Sequence, residues 1–260
     1  MTRRAGLDEV ARLHLQGLVR AVSKRLPDVQ GAGISASAFS ALEWELEAAL
    51  VAGVLQILGP LEILAEEHFH VTGRAIGRAV PEQLRCVLDP IDGSDSFRRG
   101  SDCYSVTLAL MRDDLDEYGL IYQPAHDRMY AWSPEEGATV DCRPLVRSIA
   151  PERRLAVRRT VRNDSDVDML VRRAVTRGYT IERMESTALK LCWAAEGGRS
   201  AVVKDVGVTN GSTLSWGTSA GMMLCRAMGL NVLDLRGEPF RGSGRLVVCD
   251  ETFRAEVLQV

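Results

Sequence analysis

The chain has 260 residues, of which 46% are hydrophobic and 26% are charged, and its formal net charge is −3. This composition is typical of a globular protein and not of a disordered one. A net charge close to zero argues against a protein that binds nucleic acid through a basic surface.

No apolar run approaches the 18 residues that a membrane-spanning helix needs, and the start of the chain lacks the apolar core of a signal peptide. The six cysteines are dispersed, without C-x-x-C spacing, as in reduced proteins. We therefore expect a cytoplasmic protein with no nucleic-acid or membrane partner.

Apolar residues at helical spacing predict an amphipathic helix over 6–25, ended by Pro27, and a second helix over about 37–57. In the second helix, Glu43 and Glu47 stand at i and i+4 and therefore share one face. That face is either a solvated surface or part of a site, and the helix alone leaves both open.

An apolar run over 61–65 predicts a strand that ends in the pair Glu66-Glu67. His68 and His70 follow at alternating positions, so the pattern predicts a continuing strand with both rings on one side. Exposed histidines at a strand edge are the favoured interpretation, and metal ligands are the alternative.

The strongest signal for chemistry is the run L-D-P-I-D-G-S over 88–94, which follows an apolar strand. Its proline biases Asp89 towards an extended conformation, and Gly93 permits a backbone angle that other residues resist. We expect a tight turn in which Asp89 and Asp92 converge and the amides of Gly93 and Ser94 are exposed. Convergent carboxylates attract a hard cation and free amides attract phosphate oxygens, whereas an ordinary surface turn is the alternative.

The remaining elements indicate a layered α/β or α+β architecture. An antiparallel meander is predicted near 104–111, 120–122 and 128–132, and a polar stretch over 143–152 divides a subdomain 1–145 from a subdomain 146–260. In the second subdomain strands are predicted over 155–161, 179–183, 201–203, 232–235 and 246–249, and helices over 167–176, from the N-cap Ser186 to 197, and over 218–228.

Taken with Glu66-Glu67, the D-P-I-D-G-S turn resembles the inositol monophosphatase family of metal-dependent phosphatases. That family combines a Glu-Glu pair, D-P-I/L-D-G-S/T and a later W-D-x-A-A-G. The likeness extends in order along the chain through Phe97, Y-S-V-T-L over 104–108, I-Y-Q-P over 121–124, Met129-Tyr130, Gly137-Ala138, W-G-T-S-A-G over 216–221 and D-L-R-G-E-P over 234–239. The resemblance implies an αβαβα sandwich and, as is usual in the family, a homodimer.

The resemblance also implies a Mg²⁺-dependent phosphatase acting on a small phosphorylated metabolite such as a sugar, cyclitol or nucleotide-like phosphate. Glu66, Asp89 and the Ile91 carbonyl would hold the first Mg²⁺, and Asp89 with Asp92 would hold a second. Clustered Mg²⁺ activates water and neutralises charge on the phosphoryl group. Glu66 would thereby be catalytic as well as metal-binding.

By the same resemblance, Ser94 and Glu43 would be catalytic residues that orient the attacking water, with Glu43 where the family has Asp. The amides of Gly93 and Ser94 would receive the phosphate. The full implied substrate-binding set is Asp92, Gly93, Ser94 and Glu185, with Lys204 or Asn210 as alternatives at the position of the family's sugar-contacting residue.

Two departures from the family pattern concern the site. Gly217 stands where the family has an Asp that ligates the second metal, and Asp205 or a water is the candidate substitute. Glu185 replaces the usual Gly and adds negative charge beside an anionic substrate, unless an Arg pairs with it. The alternative function is therefore a catalytically impaired member that binds a phosphometabolite or serves as a partner subunit.

Overall fold

The computed structural model describes residues 7–31, 33–78, 80, 82–113, 115–148, 152–158, 165–206 and 215–258. Its helices are α1 (Glu9–Ser23), α2 (Leu26–Val29), α3 (Ala36–Leu58), α4 (Glu66–Thr72), α5 (Ser94–Arg98), α6 (Ser165–Thr176), α7 (Thr187–Ala195), α8 (Ser219–Ala227) and α9 (Glu251–Phe253). A 3₁₀ turn (Pro124–His126) and a closing π-helical turn (Arg254–Leu258) complete the helical segments.

Two sheets organise the chain. The first follows sequence order from β1 to β7, with β1 parallel to β2 and every later pair antiparallel. The second has the order β11-β12-β10-β8-β9, in which β10, β8 and β9 run parallel. The strands are β1 (Glu62–Ala65), β2 (Leu84–Asp92), β3 (Ser105–Arg112), β4 (Leu115–Gln123), β5 (Arg128–Ser133), β6 (Gly137–Val140), β7 (Arg143–Pro144), β8 (Arg154–Arg158), β9 (Thr180–Met184), β10 (Ala201–Val206), β11 (Asn231–Leu233) and β12 (Gly244–Cys249).

The layers follow from alternation along buried strands, because successive side chains point to opposite faces of a sheet. In β2, Leu88 packs on the side of α1 and α3, whereas Val87 packs on the side of α7 and α8. In β8, Ala156 faces α7 and α8, whereas Leu155 faces α6 and the C-terminal helical turn. The order is therefore helices, sheet, helices, sheet, helices, and the predicted αβαβα sandwich is confirmed.

Most predicted elements are present, and most of the differences lie at their ends. The first helix is shorter than 6–25, and Pro27 occupies the first turn of α2 instead of ending α1. A proline fits there because the first helical amides have no intrahelical acceptor. The strand predicted over 155–161 ends at Arg158 within the described residues, and 159–161 lie outside them.

The boundary predicted over 143–152 begins with β7, the last strand of the first sheet, and ends just before β8, which belongs to the second sheet. The division into two subdomains at 145 stays a prediction. All six cysteines are unpaired, and four of them are buried. Among the helices described, none combines the length and apolar character needed to span a bilayer.

Candidate active site

A cavity of about 470 Å³ opens where the two sheets meet α4, α5, α7 and α8. Glu66, Asp89 and Asp92 form its acidic end, and Arg158 and Lys204 of the second sheet also line it. Its lining includes Glu66, Asp89, Asp92, Arg158, Glu185, Lys204 and Gly217.

The end of β2 forms the turn that the sequence predicts. The pairing of β2 with β3 shifts between Asp89 and Asp92, and Asp89 Oδ1 accepts from the Ile91 amide at 3.0 Å. Gly93 has a φ of 98°, and an added Cβ would lie 2.7 Å from the Cys103 carbonyl oxygen. Only glycine fits this position, and the two aspartates consequently converge on the cavity.

Glu66 is positioned by a carboxylate from α3. Glu47 is 2% exposed, and its two oxygens accept from the amides of Glu67 and His68, both at 2.7 Å. This contact caps the first turn of α4, whose initial amides lack intrahelical acceptors. The prediction that His68 and His70 lie on a strand is therefore wrong, because Glu47 stabilises a helix there.

The carboxyl groups of the half-buried Glu66 and the buried Asp89 lie within hydrogen-bonding reach of each other. Burial raises the pKa of Glu66 to about 7, and the nearby Glu67 carboxylate adds to the rise. Burial and the charge of Glu66 also raise the pKa of Asp89. Carboxylates that repel one another are stabilised by a divalent cation, and Mg²⁺ prefers oxygen ligands. Glu66, Asp89 and the Ile91 carbonyl therefore fit Mg²⁺ by donor type.

Glu43 and Ser94 meet beside that cluster. Ser94 Oγ lies 3.0 Å from Glu43 Oε1 and 3.1 Å from the Ile91 carbonyl oxygen, and it donates to one or the other. Glu43 is 9% exposed, which excludes the solvated-face interpretation. Burial, together with the charge of Glu67, raises the pKa of Glu43 to about 8, so the carboxyl group is suited to accept a proton near neutral pH.

Asp92 also accepts hydrogen bonds from the beginning of α7. Its Oδ2 accepts from the Ser186 hydroxyl and from the Ala188 amide at 2.8 Å, and its Oδ1 accepts from the Thr187 amide at 3.2 Å. Asp92 therefore holds the beginning of α7, where a negative charge is favourable. The predicted N-cap is also present, since Ser186 Oγ accepts from the Leu189 amide at 3.1 Å.

Gly217 lies directly against the two aspartates. A Cβ built on it would stand 3.0 Å from Asp92 Oδ1 and 3.6 Å from Asp89 Oδ2. The adjoining Trp216 carbonyl is fixed by the Thr107 hydroxyl at 2.9 Å. A carboxylate at this position would complete the acidic end of the cavity, and glycine supplies none.

The candidate substitute for that carboxylate does not reach the cavity. Asp205 is mostly exposed on β10 and forms an ion pair with Arg245. Its neighbour Lys204 does line the cavity, because adjacent residues of a strand point to opposite sides. Asn210, the other predicted substrate residue of this region, lies outside the described residues.

Glu185 lines the cavity and is paired with arginines, as the sequence left open. Its carboxylate lies 3.7 Å from Arg99 Nη2 and 3.9 Å from Arg158 Nε. Behind it, the buried Lys190 donates to the Met184 carbonyl at 3.3 Å, and burial lowers its pKa to about 8. Neither arginine was predicted, because both lie far from Glu185 in sequence.

His70 is a further residue that the sequence interpretation gave little weight. It lines the cavity from α4, and its ring stands edge-on to Trp216 with centroids 5.3 Å apart. One ligand atom each from Glu66, Glu67 and His70 lie within 4.8 Å of one another, so these side chains could share a metal ion. The i to i+4 spacing of Glu66 and His70 is the signal that would have found this cluster, had the segment been read as a helix.

Comparisons with known proteins agree with this geometry. The model of the inositol monophosphatase family matches residues 18–259. The chain is 26% identical over 194 residues to an inositol-1-monophosphatase of Mesorhizobium japonicum, covering 68% of this chain and 67% of that protein. It is 28% identical over 184 residues to Nus factor SuhB of Pasteurella multocida, covering 67% and 66% respectively.

A solved structure of inositol monophosphatase II from Staphylococcus aureus shares the fold. It superposes with a TM-score of 0.78 at 18% identity, covering 97% of this chain and 93% of that chain. The match of the family model over nearly the whole chain confirms the resemblance found in the sequence. The chain belongs to the inositol monophosphatase family.

Proposed function

We propose that this protein is a Mg²⁺-dependent phosphatase that hydrolyses a phosphate monoester of a small metabolite. The observation that carries the proposal is the contact of Ser94 with Glu43, 3.0 Å apart, beside the carboxyl groups of the half-buried Glu66 and the buried Asp89. The substrate is a sugar, cyclitol or nucleotide-like phosphate. The homodimer and the cytoplasmic location implied above stay predictions.

Glu66, Asp89 and the Ile91 carbonyl would hold the metal, with Asp92 as a further ligand. When bound, Mg²⁺ acidifies water and neutralises charge on the phosphoryl group. Ser94 orients the attacking water, and Glu43 accepts its proton at Oε1 through the Ser94 hydroxyl. The backbone amides of Gly93 and Ser94, at the start of α5, bind the phosphoryl oxygens, because the first amides of a helix have no intrahelical acceptor.

The test is phosphate release from a panel of sugar, cyclitol and nucleotide monoesters, with and without millimolar Mg²⁺. Asp89→Asn removes a charge from the metal cluster, and Ser94→Ala removes the group that orients water. Each variant is expected to lose roughly 100-fold or more in kcat/KM. Asp168→Asn, an exposed change on α6, is the matched control and retains full activity. Absence of turnover of every ester with Mg²⁺ present contradicts the proposal.

A second candidate function is binding without turnover, as a phosphometabolite sensor or partner subunit. Gly217 favours it, because the cavity lacks one carboxylate and Asp92 is engaged with three donors of α7. The relative named Nus factor SuhB makes a partner role reasonable to test. The phosphate-release assay distinguishes the two, since this candidate predicts that calorimetry detects binding of Mg²⁺ and inorganic phosphate by a wild-type protein that turns over no ester.

A further inference from the structure

A lysine of the second sheet lines the cavity without a partner of its own. Lys204 lies on β10 and is partly buried. Its side chain forms no hydrogen bond or ion pair with any residue in the described part of the chain. The cavity-lining Arg158, on the neighbouring strand β8, instead lies 3.9 Å from the Glu185 carboxylate. Lys204 therefore keeps its charge and its three N–H donors available to an anion in the cavity.

The charge of Lys204 acts on groups of the first sheet's side and of α7. Burial raises the pKa of Glu66, and the positive charge of Lys204 opposes that rise. Burial lowers the pKa of Lys190 on α7, and repulsion by Lys204 contributes to the lowering. Because Coulomb interactions weaken with distance, the Lys204 ammonium group lies near both. It is consequently close to an anion bound between the acidic end of the cavity and α7.

The acidic end is poorly supplied with ligands for a second metal ion. The family resemblance places that ion beside Asp92 and a carboxylate at position 217, where this chain has glycine. Asp92 accepts from the Ser186 hydroxyl and from the Thr187 and Ala188 amides, which occupy three of the roughly four lone-pair positions of a carboxylate. Mg²⁺ demands a near-octahedral set of oxygen ligands and dehydrates reluctantly. The residues described here therefore fit one Mg²⁺ and do not fit a second.

Charge at the site still has to be neutralised if a second ion is absent. The negative charge of a transferring phosphoryl group is spread over three oxygens, and phosphoryl transfer depends on cations placed against them. Lysine is a point charge that binds phosphate well. One Mg²⁺ and the ammonium group of Lys204 together balance the three carboxylates Glu66, Asp89 and Asp92. A fourth carboxylate and a second Mg²⁺ would leave Lys204 opposed by a like charge.

We propose that the site works with one Mg²⁺ and that the Lys204 ammonium group binds the phosphoryl oxygens where the resemblance places a second ion. This inference rests on the proposed function and assigns a further catalytic residue to the same site. Lys204 forms and breaks no covalent bond and keeps its proton throughout. It acts by donating hydrogen bonds to the phosphoryl oxygens and by neutralising their charge.

The first experiment counts the metal. Equilibrium dialysis against millimolar Mg²⁺ and inorganic phosphate, followed by metal analysis, gives the number of ions per chain. The wild type is expected to bind one Mg²⁺. The double variant Lys204→Met/Gly217→Asp regains the carboxylate and loses the opposing ammonium group, so it is expected to bind two.

The second experiment measures the affinity for inorganic phosphate by calorimetry in saturating Mg²⁺. Lys204→Met removes the charge at similar length and is expected to weaken phosphate binding by roughly tenfold or more. Lys204→Arg keeps the charge and should retain most of the affinity. Lys24→Met is the matched control, because Lys24 is exposed at the end of α1, and its affinity should equal that of the wild type. Lys204→Gln serves if the methionine variant does not fold.

Two Mg²⁺ ions per wild-type chain would overturn the inference. It is also overturned if Lys204→Met binds phosphate as tightly as the wild type, or if Lys204→Arg loses as much affinity as Lys204→Met, which would assign the residue to packing. An absence of turnover of every ester would contradict the proposed function. The metal count and the phosphate affinity would still decide the role of Lys204.

Discussion

Replacing Gly217 by aspartate adds a carboxylate to the acidic end of the cavity. The new Cβ would stand 3.0 Å from Asp92 Oδ1 and 3.6 Å from Asp89 Oδ2. Asp92 cannot easily move away, because the Ser186 hydroxyl and two α7 amides hold it. The change therefore has a steric part, shared by any side chain, and an electrostatic part that belongs to the charge.

Three variants separate the two parts. Gly217→Ala measures the added Cβ, and Gly217→Asn has the shape of aspartate without its charge. Two unit charges about 4 Å apart repel by about 4 kcal/mol at an effective dielectric constant of 20, and partial protonation reduces this. Without metal, we expect the free energy of unfolding of Gly217→Asp to be about 2–3 kcal/mol lower than that of Gly217→Asn. Its Tm should be roughly 5–10 °C lower.

Mg²⁺ is expected to reverse the order of the two variants. The added carboxylate is an oxygen ligand beside Asp89 and Asp92, so Gly217→Asp should bind Mg²⁺ at least about tenfold more tightly than Gly217→Asn. Thermal unfolding in chelator and in millimolar Mg²⁺, with calorimetric titration of the metal, gives both numbers. Equal metal affinity of the two variants, with equal Tm in chelator, would refute the placement of Gly217 at the metal site.

Two further predictions concern the capping of α4 by Glu47 and the protonation of Glu66. Glu47→Gln should lower the free energy of unfolding by about 1–2 kcal/mol and weaken Mg²⁺ binding. The two Glu47 oxygens accept from the Glu67 and His68 amides, and in the variant an NH₂ group, which cannot accept, faces one of those amides. Glu45→Gln, an exposed change on the same helix, should leave metal affinity unchanged, and equal affinities in the two variants would contradict the capping argument. In chelator, Tm should fall as pH rises from 5.5 to 8.5. A carboxyl group whose pKa is raised on folding stabilises the native state only while it is protonated. Glu66 loses its proton as pH passes about 7, and its contribution to stability is then lost. Millimolar Mg²⁺ should flatten this slope, and an unchanged slope with Mg²⁺ would show that Glu66 does not bind the metal.

Much of the fold follows from local patterns in the sequence. The turn residues and alternating apolar positions between 104 and 132 predict the antiparallel meander of β3, β4 and β5, and the structure has it. The turn at 88–94 is also local, since a proline and a glycine set its backbone. For these elements the determining residues are neighbours in the chain, so a single sequence is enough.

The parts that could not be predicted depend on contacts distant in sequence. α4 alternates like a strand, but Glu47, 20 residues earlier, caps it as a helix. The arginines beside Glu185 come from the end of α5 and from β8, and the sequence around Glu185 does not predict these ion pairs. The substitution at Gly217 was visible in the motif, but its distance from Asp92 required the structure.

Asp92 and Gly217 are best understood as one feature of the site. A carboxylate at the start of α7 is stabilised by two backbone amides, a hydroxyl group and the helix dipole. A second carboxylate, carried on a Cβ 3.0 Å from Asp92 Oδ1, would compete for the same space and repel Asp92 unless a cation lay between them. With glycine at 217, Asp92 can hold α7 whether or not a metal is bound. Gly217→Asp should therefore make the order of α7 depend on Mg²⁺, and hydrogen exchange of the Thr187 and Ala188 amides measures that coupling directly.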